Sequence, residues 1–326
     1  MGKVVNSSFL DRNFIFFPIW IPIIYFLLIE NFQNYEQYIF LAFFFLLGET
    51  HFGSSWLLFI DKNKLRYVKS NIYIFFYIPV LILLFSVAIA TFLGIDFLLF
   101  LILLFNFFHV TRQSIGVLKI TEFAHNLRQI VSLYGGIYLV CFLCVVSGSI
   151  NFLYYGDEYN LILDKLNFYI YFLFFLFSVV NLFFFLSKKI SLNCFLSFLT
   201  GSSMFLPLCF IDQIHHAMMM GIGMHYSQYL FIALPVFFRR LKSADMENKK
   251  LTINNAVYLT VFYLSVYSLL MVILANNKDL HFLNIPLFLI PVLFQTLHFY
   301  IDMFIWRFSN PNIRNIVLPF MFKKFG

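Results

Sequence analysis

Ten long apolar stretches separated by short polar connections run the length of the chain, at roughly 14–30, 36–60, 71–93, 95–119, 131–152, 166–187, 190–211, 213–238, 255–276 and 283–307. A helix that crosses a bilayer needs about 20 apolar residues, so each stretch reads as a span. The pattern predicts an all-α, polytopic transmembrane helical bundle. It forms a single integral-membrane domain over residues 1–326. Between the seventh and eighth spans only Pro207 and Asp212 mark a break. The first stretch lacks a small-residue cleavage site and reads as a retained span rather than a removed signal.

The connections alternate in charge. Lys3 and Arg12 precede the first span. The second connection carries Lys62, Lys64, Arg66 and Lys69, the fourth Lys119 and Arg128, the sixth Lys188 and Lys189. The eighth carries Arg239, Arg240, Lys242, Lys249 and Lys250, and the tail Arg314, Lys323 and Lys324. The odd connections hold Glu30 and Glu36, then Asp96, then Asp157, Glu158 and Asp164, then Asp212, and in the ninth Lys278 with Asp279. Lysine and arginine mark the cytoplasmic side. The pattern therefore predicts ten spans with both termini cytoplasmic, in the inner membrane if the source is a bacterium.

Composition agrees with this pattern. The 326 residues are 62% hydrophobic and 22% aromatic, with 49 phenylalanines and only 11% charged residues, against about 25% charged in ordinary soluble domains. The net charge of +7 is spread between apolar runs, where it sets topology and is no sign of nucleic-acid binding. The four cysteines, Cys141, Cys144, Cys194 and Cys209, sit in apolar runs and read as small packing residues.

The candidate chemistry lies in polar residues within spans, which are costly in hydrocarbon and point to function. The richest stretch is DQIHHAMMMGIGMHYSQY, Asp212 to Tyr229. With the topology above, the second, fourth, eighth and tenth spans run from outside to inside, and each carries a histidine. His51 lies ten residues before Asp61, His109 ten before Lys119, His225 fourteen before Arg239 and His298 nine before Arg307. At 1.5 Å per residue all four fall about 14 to 21 Å from the cytoplasmic boundary, in one layer.

Each histidine shares a helical face with polar or small residues. The faces are Gly48, His51 and Ser55; Asn106, His109, Gln113 and Gly116; Gly221, His225 and Gln228; and Gln295, His298, Asp302 and Trp306. Spacings of three, four and seven align such residues. His298 and Asp302, at i and i+4, can address one point. Imidazoles with a carboxylate suit non-haem iron best, and also zinc or copper. His51, His109, His225, His298 and Asp302 are therefore the expected metal ligands, converging on one ion. Glu49, Asn106, Arg112, Gln113, Tyr226, Gln228, Gln295, Tyr300 and Trp306 are expected to orient the ligands or meet substrate. Arg112 can pair with Glu49 or Asp302.

His215 and His216 are a second candidate metal pair. On a continuous helix His215 lies about 15 Å from His225, so the pair joins the main site only if the helix breaks at Gly221 or Gly223. His125 and His281 fall in connections and read as non-functional.

The segment ETHFGSSW, Glu49 to Trp56, resembles the His-Phe-Gly segment of the Brp/Blh family of membrane-embedded carotene-cleaving dioxygenases. The spacing from His51 to His109 and on to His215 and His216 is also similar. The family's histidine-glycine pair on an early helix is absent. The resemblance implies a helical bundle holding one iron, with His51, His109 and one of His215 or His216 as ligands, whereas the depth count prefers His225. The HxxxH and HxxHH boxes of membrane fatty-acid desaturases are absent.

These readings lead to a membrane-embedded, histidine-ligated metal oxygenase or oxidoreductase acting on an apolar lipid- or carotenoid-like substrate, with an electron-donor protein as a possible partner. Two alternatives stand beside it. Facing histidines also suit a b-type haem, and the buried histidines with Glu49, Asp302 and Arg112 also suit a proton-coupled transporter.

Overall fold

The computed structural model of the protein describes residues 8–57, 67–121, 127–153, 157–248, 253–277, 281–282, 285–307 and 310–321. The described residues are helical apart from short connections and one pair of two-residue strands, His281–Phe282 against Ile285–Pro286. The main helices are α1 (Trp20–Asn31), α2 (Glu36–Phe43), α3 (Thr50–Leu57), α4 (Ile78–Phe92), α5 (Ile95–Thr121), α6 (Gly136–Leu153), α7 (Asp157–Leu186), α8 (Leu192–Ser203), α9 (Ile214–Asn248), α10 (Ile253–Asn276), α11 (Leu289–Ile305) and α12 (Pro311–Met321). The chain's apolar content dictates this class, because a backbone in hydrocarbon must satisfy its own polar groups.

Five helical stretches among the described residues are long and apolar enough to cross a membrane: Tyr73–Phe92, Ile95–Thr121, Arg128–Phe152, Leu161–Leu186 and Asn255–Asn276. They mark the chain as an integral membrane protein. The expected first span is two helices, Ser8–Phe16 and Trp20–Asn31, bent by 61°. Pro18 lies in the break, where proline removes a donor and disfavours helix in the residue before it. The expected seventh span is also interrupted. α8 has only 12 residues and gives way to a 3-10 turn, Leu206–Cys209, that contains Pro207. The tenth is shortened to the 17 residues of α11.

The chain divides into two compact units. In the unit formed by residues 8–40 and 106–228, three side chains catch the carbonyls released at the first break. Thr200 Oγ1 donates to the Phe16 carbonyl at 3.0 Å, Ser227 Oγ to Phe14 at 3.0 Å and Gln228 Nε2 to Ile15 at 2.7 Å. Helix-end carbonyls lack partners of their own, so this network holds the bend. α9 passes close to the end of α8. A Cβ on Gly221 would lie 1.7 Å from the Met204 carbonyl oxygen, so only glycine fits. α9 is continuous through Gly221 and Gly223. The break that would bring His215 or His216 to the site of His225 does not occur.

In the unit formed by residues 41–105 and 229–321, α2 passes through a π-helical segment, Phe44–Glu49, into α3. The wider π turn rotates the face that α3 presents, and such insertions are frequent at functional sites. Gly53 lets α10 come close: a Cβ there would lie 2.8 Å from Tyr267 Cδ1. Leu57, Phe237, Leu264, Ile301 and Ile305 form the core that locks α3, α9, α10 and α11 together. A second core, Leu98, Ile102 and Leu289, joins the start of α5 to α11.

Candidate metal centre

His51 on α3 and His298 and Asp302 on α11 meet in the second unit. The imidazoles of His51 and His298 are fully buried, with ring centroids 4.5 Å apart and planes at 72°. The i, i+4 spacing on α11 brings His298 Nε2 to 3.7 Å from Asp302 Oδ2. His298 and Asp302 form a histidine–carboxylate donor pair, with the buried His51 ring packed edge-on against His298.

A polar network fixes two of the three. Ser55, one turn beyond His51, has its Oγ 2.8 Å from His298 Nδ1 and donates to Asp302 Oδ1 at 3.1 Å. The Tyr229 hydroxyl donates to the same Oδ1 at 3.0 Å and lies 2.6 Å from Ser55 Oγ. Trp306 Nε1 donates to the Tyr229 hydroxyl at 3.3 Å. A serine proton given to Asp302 leaves the serine oxygen to accept from His298 Nδ1–H. In that tautomer Nε2, 3.7 Å from Asp302 Oδ2, is the nitrogen left to ligate. Metal-ligating histidines are held this way, through the other ring nitrogen.

The geometry fits a small divalent ion. Two donors each about 2.1 Å from one ion stand about 3.0 to 3.4 Å apart at right-angled to tetrahedral angles. The observed 3.7 Å closes to that value with a small side-chain rotation. Phe52, its ring centroid 5.1 Å from that of His298, supplies an apolar wall.

In the first unit, His109 on α5 and His225 on α9 form another buried pair, with ring centroids 5.4 Å apart and planes at 87°. Tyr226 packs beside it, 5.9 Å from the His225 ring centroid. Asn106 is buried one turn before His109, and Gln113 is half-buried one turn after it. His216 belongs to a different cluster: its Nδ1 lies 2.5 Å from the buried Tyr25 hydroxyl and its Nε2 3.8 Å from Glu36 Oε2. His215 is exposed, edge-on to Phe40.

Several residues expected to orient ligands have other work. Gln228 holds the Ile15 carbonyl. Tyr300 donates to the Ile74 carbonyl at 3.0 Å, tying α11 to the segment before α4. Gln295 is half-buried and forms no hydrogen bond among the described residues. Arg112 faces outward and makes no ion pair among the described residues, which corrects its expected pairing with Glu49 or Asp302. Asp302 is held by hydroxyls instead. Glu49 is buried at the end of the π segment. His125 lies outside the described residues. Tyr229 was not among the expected residues, although its place four residues after His225 put it on the same helical face.

Compared with family models, curated proteins and solved structures, the chain matches none.

Proposed function

We propose that the protein is a membrane-embedded metal-dependent oxidoreductase, an oxygenase of apolar substrates, with non-haem iron held by His51, His298 and Asp302. The observation that carries this reading is the orientation of His298 Nε2 towards Asp302 Oδ2 at 3.7 Å. With Nδ1 protonated, a buried imidazole nitrogen and a carboxylate oxygen at this distance suit a shared cation. The adjacent buried imidazole of His51 supplies the third ligand. Two histidines and a carboxylate with open positions suit iron(II), with zinc or copper as the competing ions.

When bound, iron supplies activation of dioxygen for attack on an unactivated substrate. The protein's own residues do the rest. Ser55 and Tyr229 hold the Asp302 carboxylate, Ser55 fixes the His298 ring, and Trp306 fixes Tyr229. The phenylalanine-rich surroundings exclude water and admit a lipid- or carotenoid-like molecule from the side. Where the reaction consumes reducing equivalents, an electron-donor protein is the implied partner.

The wider architecture belongs to the same proposal: ten spans, both termini cytoplasmic, and the inner membrane in a bacterium. The segment around His51 supports a relation to the carotene-cleaving Brp/Blh dioxygenases. The expectation of a wider ligand set that includes His109 and His225 is tested separately: alanine at either would remove the metal if it ligates and leave it if the three-residue set suffices.

The test is conversion of apolar polyenes by purified protein under labelled dioxygen. Incorporation of label by the wild type, abolished in Asp302→Asn, is the expected result. Polyene turnover that persists in Asp302→Asn refutes this assignment. A Soret band in the purified protein would move the reading to a b-type haem.

A further inference from the structure

α5 carries an arginine where a membrane helix rarely tolerates one. Arg112 lies nine residues before the end of the 27-residue α5, about 14 Å inside that end. It is exposed and has no partner among the described residues. An intramembrane charge is costly unless something neutralises it. No counter-charge stands beside it among the described residues, and an anionic ligand would supply one.

The same exposed face continues through Gly116 to Lys119, at i, i+4 and i+7 from Arg112. A Cβ on Gly116 would meet nothing within 4 Å, so a gap opens between the two cations. Lys119 Nζ sits 5.6 Å from the Tyr134 ring centroid. This cation–π contact sets the face of α5 beside the π-helical segment Val131–Gly135 that leads into α6. Gly135, next to Tyr134, also has open space where a Cβ would project. The result is an exposed strip of α5 with Arg112 and Lys119 flanking the open space at Gly116, and Tyr134 beside Lys119. Above it Phe108 is 52% exposed.

We infer that this exposed face of α5 binds the phosphate of an anionic phospholipid, between Arg112 and Lys119, with an acyl chain running over Phe108. The two cations are spaced by about 10 Å along the helix, and both side chains are long enough to snorkel to one headgroup. Basic pockets beside spanning helices recognise anionic lipid in this manner. Charge complementarity selects the anionic lipid over a neutral one. The open space at Gly116 lets the phosphate approach the helix.

Native mass spectrometry of the full chain, released from nanodiscs of mixed dioleoylphosphatidylglycerol and dioleoylphosphatidylcholine, tests the inference. The wild type is expected to retain phosphatidylglycerol in preference to phosphatidylcholine. The double variant Arg112→Gln with Lys119→Gln should lose that preference by roughly tenfold or more, the scale of a lost charge-assisted contact. Gly116→Leu keeps both charges but fills the open space between them, and should lower retention as well. Added inorganic phosphate should not compete, because it lacks the acyl chain. Equal retention of the two lipids by the wild type overturns the inference, as does unchanged preference in the double variant. An unchanged thermal midpoint in the double variant shows that it is folded. The result does not depend on whether the metal reading is correct.

Discussion

Removing the hydroxyl of Ser55 is the most informative single change at the candidate centre. Ser55 is 1% exposed, and its Oγ meets His298 Nδ1 at 2.8 Å, Asp302 Oδ1 at 3.1 Å and the Tyr229 hydroxyl at 2.6 Å. Alanine in its place removes the oxygen that meets His298 Nδ1. Asp302 Oδ1 keeps the Tyr229 donor at 3.0 Å. Hydrogen bonds to charged groups contribute about 1.5–3 kcal/mol each, and a buried group left unsatisfied costs a similar amount. Part of this loss falls on folding and part on the ion. Losing an outer partner of a ligand typically weakens metal binding about 10- to 100-fold. Titration of iron(II) into metal-free protein, with a competing chelator, reads the affinity directly. Ser55→Ala should bind about 10- to 100-fold more weakly while the helical circular dichroism is unchanged. Ser54→Ala is the control, because that neighbouring hydroxyl only donates to the His51 carbonyl at 2.8 Å. Equal affinity in Ser55→Ala and wild type would refute the claim that this serine orients a ligand.

Other changes should separate the site from its frame. Tyr229→Phe removes one donor to Asp302 and should weaken metal binding, whereas Tyr300→Phe, which loses only a bond to the Ile74 carbonyl, should leave metal content unchanged; elemental analysis of both reads the difference. Gly221→Ala drives a Cβ into a backbone carbonyl at 1.7 Å that no rotamer can relieve, so it should abolish folded expression. Gly116→Ala, with open space around it, should raise detergent stability by about 1 kcal/mol through helix propensity. Tyr25→Phe breaks the 2.5 Å contact to His216 and should lower the thermal midpoint without loss of metal.

Much of the site was written in the residue pattern. The run Gln295, His298, Asp302 and Trp306 marks one face of α11, and three of its members enter the network around the carboxylate. The i, i+4 relation of His298 and Asp302 needs only helix geometry to be read. Tyr229 was harder to see, because a tyrosine among 19 in an aromatic-rich chain carries little signal beside the more polar Gln228. Gln228 in turn answers to the carbonyls exposed by the break at Pro18, a demand visible only once the bend is known. Pro18 explains that bend, although the expected first span ran straight through it. The π segment before His51 has no such mark. Arg112 reads as an internal charge on hydropathy alone, but its orientation depends on which face of α5 packs inward, and exposed Phe108 and Lys119 on the same side settle that only in three dimensions.

The central claim is that His51, His298 and Asp302 hold a metal ion. Elemental analysis of the full-length protein purified without added metal tests it most directly, with His298→Ala and Asp302→Ala prepared in parallel. The account predicts iron in a fixed ratio to the wild-type chain and its loss from both variants while they remain folded. Wild-type protein free of iron, zinc and copper, or variants that keep the full metal content, would contradict it.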